Sequence, residues 1–78
     1  MDLYLIVGAS VNGEIYVGKQ PVYRTFEDAY AEMVEIAKEC RADGLETDWN
    51  EDTLRLLVTD EEDNLVETYE IHRTSVDF

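Results

Sequence analysis

The chain predicts an α+β fold of order β-β-α-β-β, in which a four-stranded antiparallel sheet carries one helix packed on one face. Three observations predict it. Asn12-Gly13 separates two apolar segments, "LYLIVGAS" and "EIYVG"; a run of helical period lies between Thr25 and Gly44; and the strand-like segments "TLRLLVT" and "LVETYEIHR" flank the tight acidic turn "DEEDN". With 78 residues, 45% of them apolar, the sequence fits a single domain over 1–78 with one modest core.

The elements follow in order. Asn-Gly is the strongest short-range hairpin signal, and a two-residue turn there pairs Val11 with Glu14, Ala9 with Tyr16 and Val7 with Gly18. "KQPVYR" is expected to connect, because Pro21 cannot sit inside a central strand. Thr25 has the chemistry of an N-cap, with Asp28 three residues on, and Glu27 and Asp28 suit the positive end of the helix dipole. Phe26, Ala29, Tyr30, Met33, Val34, Ile36, Ala37 and Cys40 share one broad helical face, which is expected to cover the sheet before Gly44 ends the helix. "LETDWNED" then reads as a polar loop, and the terminal "TSVDF" as a segment that frays.

Charge is the most informative property of the composition. Nineteen acids against six Lys and Arg give a net charge of −13. Asp2 and Glu14 balance Lys19 and Arg24, so the whole excess falls after residue 26. Such a field opposes contact with nucleic-acid phosphates or anionic lipid and steers the chain toward basic protein surfaces. "MDLYLIVGAS" has no basic n-region, and no stretch is long and apolar enough to span a bilayer, so neither a signal peptide nor a membrane segment is expected. The single cysteine, Cys40, supports no disulfide framework, and a reducing cytoplasm is the expected compartment.

The helix concentrates this charge. Asp28, Glu32, Glu35, Glu39 and Asp43 fall within about 180° to 260° of Phe26 on a helical wheel, a single stripe. Like charges at i,i+4, as in Asp28/Glu32, Glu35/Glu39 and Glu39/Asp43, each oppose the helix by roughly 0.2 to 0.5 kcal/mol. Glu39 and Asp43 also sit at the end where the dipole favours cations. Helix stability alone therefore does not account for the stripe. A solvated face in an acidic protein is the simplest alternative, but two more acidic elements accompany it: Glu46, Asp48, Glu51 and Asp52 around Trp49, and Asp60, Glu61, Glu62 and Asp63 in the hairpin turn. Rows of carboxylates at a few ångströms' spacing match the phosphate spacing of a nucleic-acid backbone.

In its short length, its acidity and this stripe, the chain resembles, over residues 27 to 63, the phage and mobile-element inhibitors that mimic DNA, among them many anti-CRISPR and anti-restriction proteins. The resemblance implies stoichiometric blocking of a nuclease or DNA-binding complex by the stripe, the Asp48–Asp52 segment and the Asp60–Asp63 turn, without catalytic residues. An acidic immunity protein that plugs a nuclease active site has the same character.

Other chemistries fit less well. "DWNEDTLRLLVT" begins as an EF-hand loop does with Asp48, Asn50 and Asp52, then fails where Thr53 replaces the glycine and Thr59 the bidentate glutamate, so no metal is expected. His72, the only histidine, has no nucleophile nearby in sequence and reads as a polar residue at the sheet edge. Cys40 reads as a core residue, and no phosphate-cradling glycine loop or other cofactor motif is present, so neither enzymatic activity nor a cofactor is expected. Trp49 reads either as an interface anchor or as a lid over the core. The first hairpin is apolar on both faces, with Leu3, Leu5 and Val7 on one and Tyr4, Ile6, Ile15 and Val17 on the other. Because one helix covers one face, the other is available to a partner or a second copy. Two alternative readings stay open: an adaptor or assembly module bound through that apolar face and Trp49, and a high-salt protein whose acidity serves solubility. The neutral first 26 residues weigh against the second.

Overall fold

The computed structural model describes residues 1–17 and 22–75. The expected pairing to Gly18, the connection through Pro21 and the last residues, 76–78, lie outside them. The strands are β1 (Asp2–Ser10), β2 (Ile15–Val17), β3 (Glu46–Asn50), β4 (Arg55–Thr59) and β5 (Leu65–Ser75), with one helix, α1 (Phe26–Ala42), between β2 and β3. They form one antiparallel sheet in the order β2-β1-β5-β4-β3. The α+β class and the helix on one face are as the sequence predicts. The two hairpins of the sequence reading are β1-β2 and β4-β5, joined by a long β1-β5 pairing that runs from Asp2↔Ser75 to Ser10↔Glu67.

Three local expectations are corrected. The first hairpin closes through three residues, Val11 to Gly13, and not two. The Gly13 amide donates to the Ser10 carbonyl at 3.0 Å, Gly13 alone of the three has positive φ (+86°), and Val7, Gly8 and Ala9 pair with Val17, Tyr16 and Ile15. A two-residue type I′ turn needs positive φ at Asn12 as well; with Asn12 outside that region, the chain takes a type I turn followed by a left-handed glycine. The register moves by one residue, which turns Ile15 to the opposite face from the one expected. Secondly, Glu46 to Asn50 is not loop but the edge strand β3, paired with β4 from Glu46↔Thr59 to Asn50↔Arg55. Finally, Thr74 and Ser75 do not fray: they pair with Leu3 and Asp2, and the Ser75 hydroxyl donates to Asp2 Oδ1 at 2.9 Å.

The helix begins and ends where local chemistry directs. Thr25 is extended (φ −129°, ψ 154°) and its hydroxyl accepts the Asp28 amide at 3.1 Å. At the other end the Leu45 amide donates to the Cys40 carbonyl and the Gly44 amide to that of Arg41, both at 3.0 Å, with Gly44 at φ +86°: a Schellman motif. Ala29, Met33, Ile36, Ala37 and Cys40 are buried against Ile6, Tyr23, Leu56, Val58, Tyr69 and Ile71. Tyr4, Phe26, Leu45, Trp49 and Leu54 pack at the margin of this core. No helix among the described residues is long and apolar enough to cross a membrane.

Candidate functional site

Strand alternation and helix rotation decide where each acidic residue points. The core-facing positions of α1 set one flank of the helix toward the β1 edge of the sheet and the other toward β3. The β1-side flank carries the stripe: Asp28, Glu32 and Glu35 line a shallow groove of about 350 Å³ together with Ala31 and Tyr23. Tyr23 reaches this position because it bridges to Tyr4 of β1, its amide and carbonyl exchanging bonds of 2.7 and 2.9 Å with those of Tyr4. Its ring is buried, and its hydroxyl is buried with no hydrogen-bond partner among the described residues. The sequence predicts Tyr23 in a connector; its pairing with Tyr4 carries no local sequence signal.

Toward the helix C-terminus the stripe continues onto a second element. Asp43, the C-cap residue, shares a groove of about 340 Å³ with Gly44, Leu45, Asp60, Glu61 and Glu62. The β4-β5 turn is held by Asp60, whose carboxylate accepts the amides of Glu62 (2.8 Å) and Asn64 (3.0 Å). These bonds, that from the Asn64 amide foremost, lower the Asp60 pKa below the ordinary carboxylate range. Asp63, at φ +62°, completes the turn.

Not every predicted site residue joins this surface. Thr47 and Trp49 are the half-buried positions of β3, and Trp49 packs at the margin of the core, so the intervening Asp48 stands on the reverse side of the sheet beside Leu57. Glu51 and Asp52 occupy the β3-β4 turn, where Asn50 Oδ1 accepts the Asp52 and Thr53 amides at 2.9 and 3.2 Å. Glu51 borders a cleft with Phe26, Tyr30, Trp49 and Leu54, on the helix flank away from the stripe. Segment 46–52 therefore does not extend the line of the stripe, whereas the Asp60 turn does.

Trp49 is held in an aromatic row. Its ring meets Tyr30 edge-on at 5.5 Å, Tyr30 stacks near Phe26 at 6.0 Å, and Phe26 meets Tyr4 edge-on at 6.0 Å. Its Nε1 is buried without a hydrogen-bond partner among the described residues. Of the two readings, this is the lid over the core.

Among the described residues positive charge near the stripe is sparse. Lys38 Nζ lies 3.5 Å from Glu35 Oε1, and both side chains are more than half exposed, a pair worth roughly 0 to 1 kcal/mol. Arg41 turns to the β3 flank, where it donates to Thr47 Oγ1 at 3.4 Å. Among the described residues Glu35 is the one stripe member with an ion-pair partner. Burial pushes the Cys40 thiol up, with Glu67, Asp43 and Glu39 adding to the effect, so it stays a neutral core group. His72 is exposed on β5, a central strand and not an edge, with Nε2 3.5 Å from Glu70 Oε2. Among the described residues no group of three His, Cys, Asp or Glu has metal-holding geometry.

No protein-family model matches the chain, and comparison with curated proteins and with solved structures found no significant match.

Proposed function

We propose that this is a non-enzymatic binding protein whose acidic helix flank docks on a basic, nucleic-acid-binding surface of a nuclease or defence complex and blocks it by phosphate mimicry, as anti-CRISPR and anti-restriction inhibitors of the DNA-mimic type do. The observation that carries the reading is the row of carboxylates on α1, with Asp28, Glu32 and Glu35 in one groove beside Tyr23, Glu39 following at helical spacing, and Asp43 in a second groove that it shares with Asp60, Glu61 and Glu62. From Asp28 to Asp43 the row extends roughly 22 Å along the helix axis, about the rise of six to seven base pairs. Among the described residues only Glu35 of the stripe has an ion-pair partner, and the like charges at i,i+4 hold their places at a cost to helix stability. A row of this kind attracts a basic groove over a long range and loses that attraction in salt. The proposed contact set is Asp28, Glu32, Glu35, Glu39, Asp43 and Asp60 to Asp63, acting in a cytoplasmic setting. Asp48 faces the reverse side and takes no part.

The test is a pull-down against nucleic-acid-handling proteins at two salt concentrations, with and without competing DNA. Binding is expected to fall steeply with salt, to be competed by DNA, and to be lost on reversing charge at Glu32, Glu35 and Glu39. Capture that persists in high salt and in the triple charge reversal would remove the basis for mimicry.

A further inference from the structure

One broad surface of this chain is poor in acids. The face of the sheet turned away from α1 carries Leu3, Leu5 and Val7 from β1, Ile15 from β2 and Leu57 from β4, all on the opposite parity from the buried Ile6, Leu56 and Val58. Ile15 is 75% exposed and Val7 40%. Across β2, β1 and β5 the described residues of this face include a single carboxylate, Glu70, which Arg55 Nη2 and His72 Nε2 approach to 3.5 Å each. The remaining acids of the face, Glu46 and Asp48, stand on the far edge strand, β3.

We infer that this face is a homodimer interface, with the sheets of two copies packed face to face. Charge selects the occupant. A basic partner is drawn to the helix flank and finds almost nothing to pair with here, whereas a second copy, itself carrying a net charge of −13, meets least repulsion here. Face-to-face packing puts the two helices on the outside of a helix-sheet-sheet-helix stack. Their stripes are then separated by more than the about 10 Å between stacked sheets, beyond the about 8 Å Debye length at physiological salt. The whole face, the nine-residue β1-β5 ladder with its three shorter neighbours, covers roughly 500 Å² in flat projection, and roughly 400 Å² without the acid-bearing β3; both are more as accessible surface, and both fall under the about 600 Å² per partner at the low end of stable interfaces. The dimer is therefore a weak one, and it would present two stripes on opposite sides. The inference does not depend on what the stripe binds.

Sedimentation velocity over a wide range of chain concentration tests it. The wild type is expected to rise from the mass of one chain to that of two, with a dissociation constant on the order of micromolar, and more salt is expected to preserve or strengthen association. Ile15→Lys should weaken the dimer at least tenfold with an unchanged circular dichroism spectrum, even though the substitution lowers the net negative charge and with it the general repulsion. Val7→Thr provides an independent reading if Ile15→Lys perturbs folding. A single-chain mass throughout, a dimer indifferent to both substitutions, or one dispersed instead by reversing Glu32 and Glu35 would overturn the inference.

Discussion

The ring of Tyr69 lies directly over Gly8, its cross-strand partner: a Cβ built on Gly8 would come within 2.4 Å of Tyr69 Cδ1 and 3.0 Å of the Thr68 carbonyl. Tyr69 is buried, and its hydroxyl donates to Glu67, so the ring has little room to yield. Gly8→Ala is therefore expected to destabilise the fold by about 1 to 3 kcal/mol through overpacking. Urea denaturation checks it, and in a double-mutant cycle Tyr69→Leu should relieve part of the cost. Additive costs would mean that the two residues do not constrain each other.

The two hairpins are closed by the same device with different chemistry. In the first, the Ser10 amide donates to the Glu14 carbonyl, the Gly13 amide to the Ser10 carbonyl and the Glu14 amide to the Ser10 hydroxyl. In the second, Asp60, Asp63 and Asn64 repeat these three bonds, with Asp60 Oδ1 in place of the hydroxyl. The left-handed position is Gly13 in one and Asp63 in the other. Asp63→Gly should stabilise the fold by about 0.5 to 1 kcal/mol, since glycine adopts this conformation without a Cβ penalty and one of four adjacent like charges is removed. A lower denaturation midpoint for Asp63→Gly would contradict the turn geometry.

Asp60 gives this turn a pH dependence. Its folded pKa is depressed, so the unfolded state binds the proton more readily. The associated stability is present above the ordinary aspartate pKa and is lost as pH falls through the lower folded value. Asp60→Asn keeps a side-chain oxygen acceptor but cannot ionise. The stability difference between wild type and Asp60→Asn should be constant near neutrality and shrink below about pH 4, measured by denaturation at a series of pH values. A difference that widened on acidification would reverse the sign and exclude Asp60 as the source.

What the sequence disclosed depended on how local the determining contacts are. The helix, its Thr25 cap, its Gly44 stop and its acidic stripe are set by residues a few positions apart, and all were legible. The turn at Asn12-Gly13 was legible as a turn but not in its length, because whether Asn12 takes positive φ is decided by the pairing on either side. β3 was hidden because its inward positions are Thr47 and Trp49 within a string of acids, too short and too polar a pattern to show period two. That omission propagated to the site. Once Glu46 to Asn50 is a strand, alternation sends Asp48 to the reverse face, a consequence that counting charges along the chain does not reveal. Tyr23 is not legible for a related reason, since its place beside Glu32 follows from one long-range bridge to Tyr4.

Under the proposed function the stripe would set stability against binding, and Glu39 is where the two would separate most clearly. It lies one turn from both Glu35 and Asp43, in the last turns of the helix, where the dipole disfavours a negative charge. Glu39→Lys converts two repulsive i,i+4 pairs into attractive ones and places a cation at the favourable end, for an expected gain of about 1 kcal/mol. In a chain of this size that corresponds to a rise in Tm of roughly 4 to 8 °C. If the proposed function holds, the same substitution should weaken capture of the proposed basic partner, chiefly by slowing association. The gain should itself shrink at high salt, because the pairs are exposed. Thermal melts at low and high salt, run beside the pull-down, read both halves. A Glu39→Lys variant that is more stable and binds as well as wild type would reduce the stripe to a solvated face, whereas one that is less stable would show that the like-charge cost is offset by contacts of Glu39 within the fold.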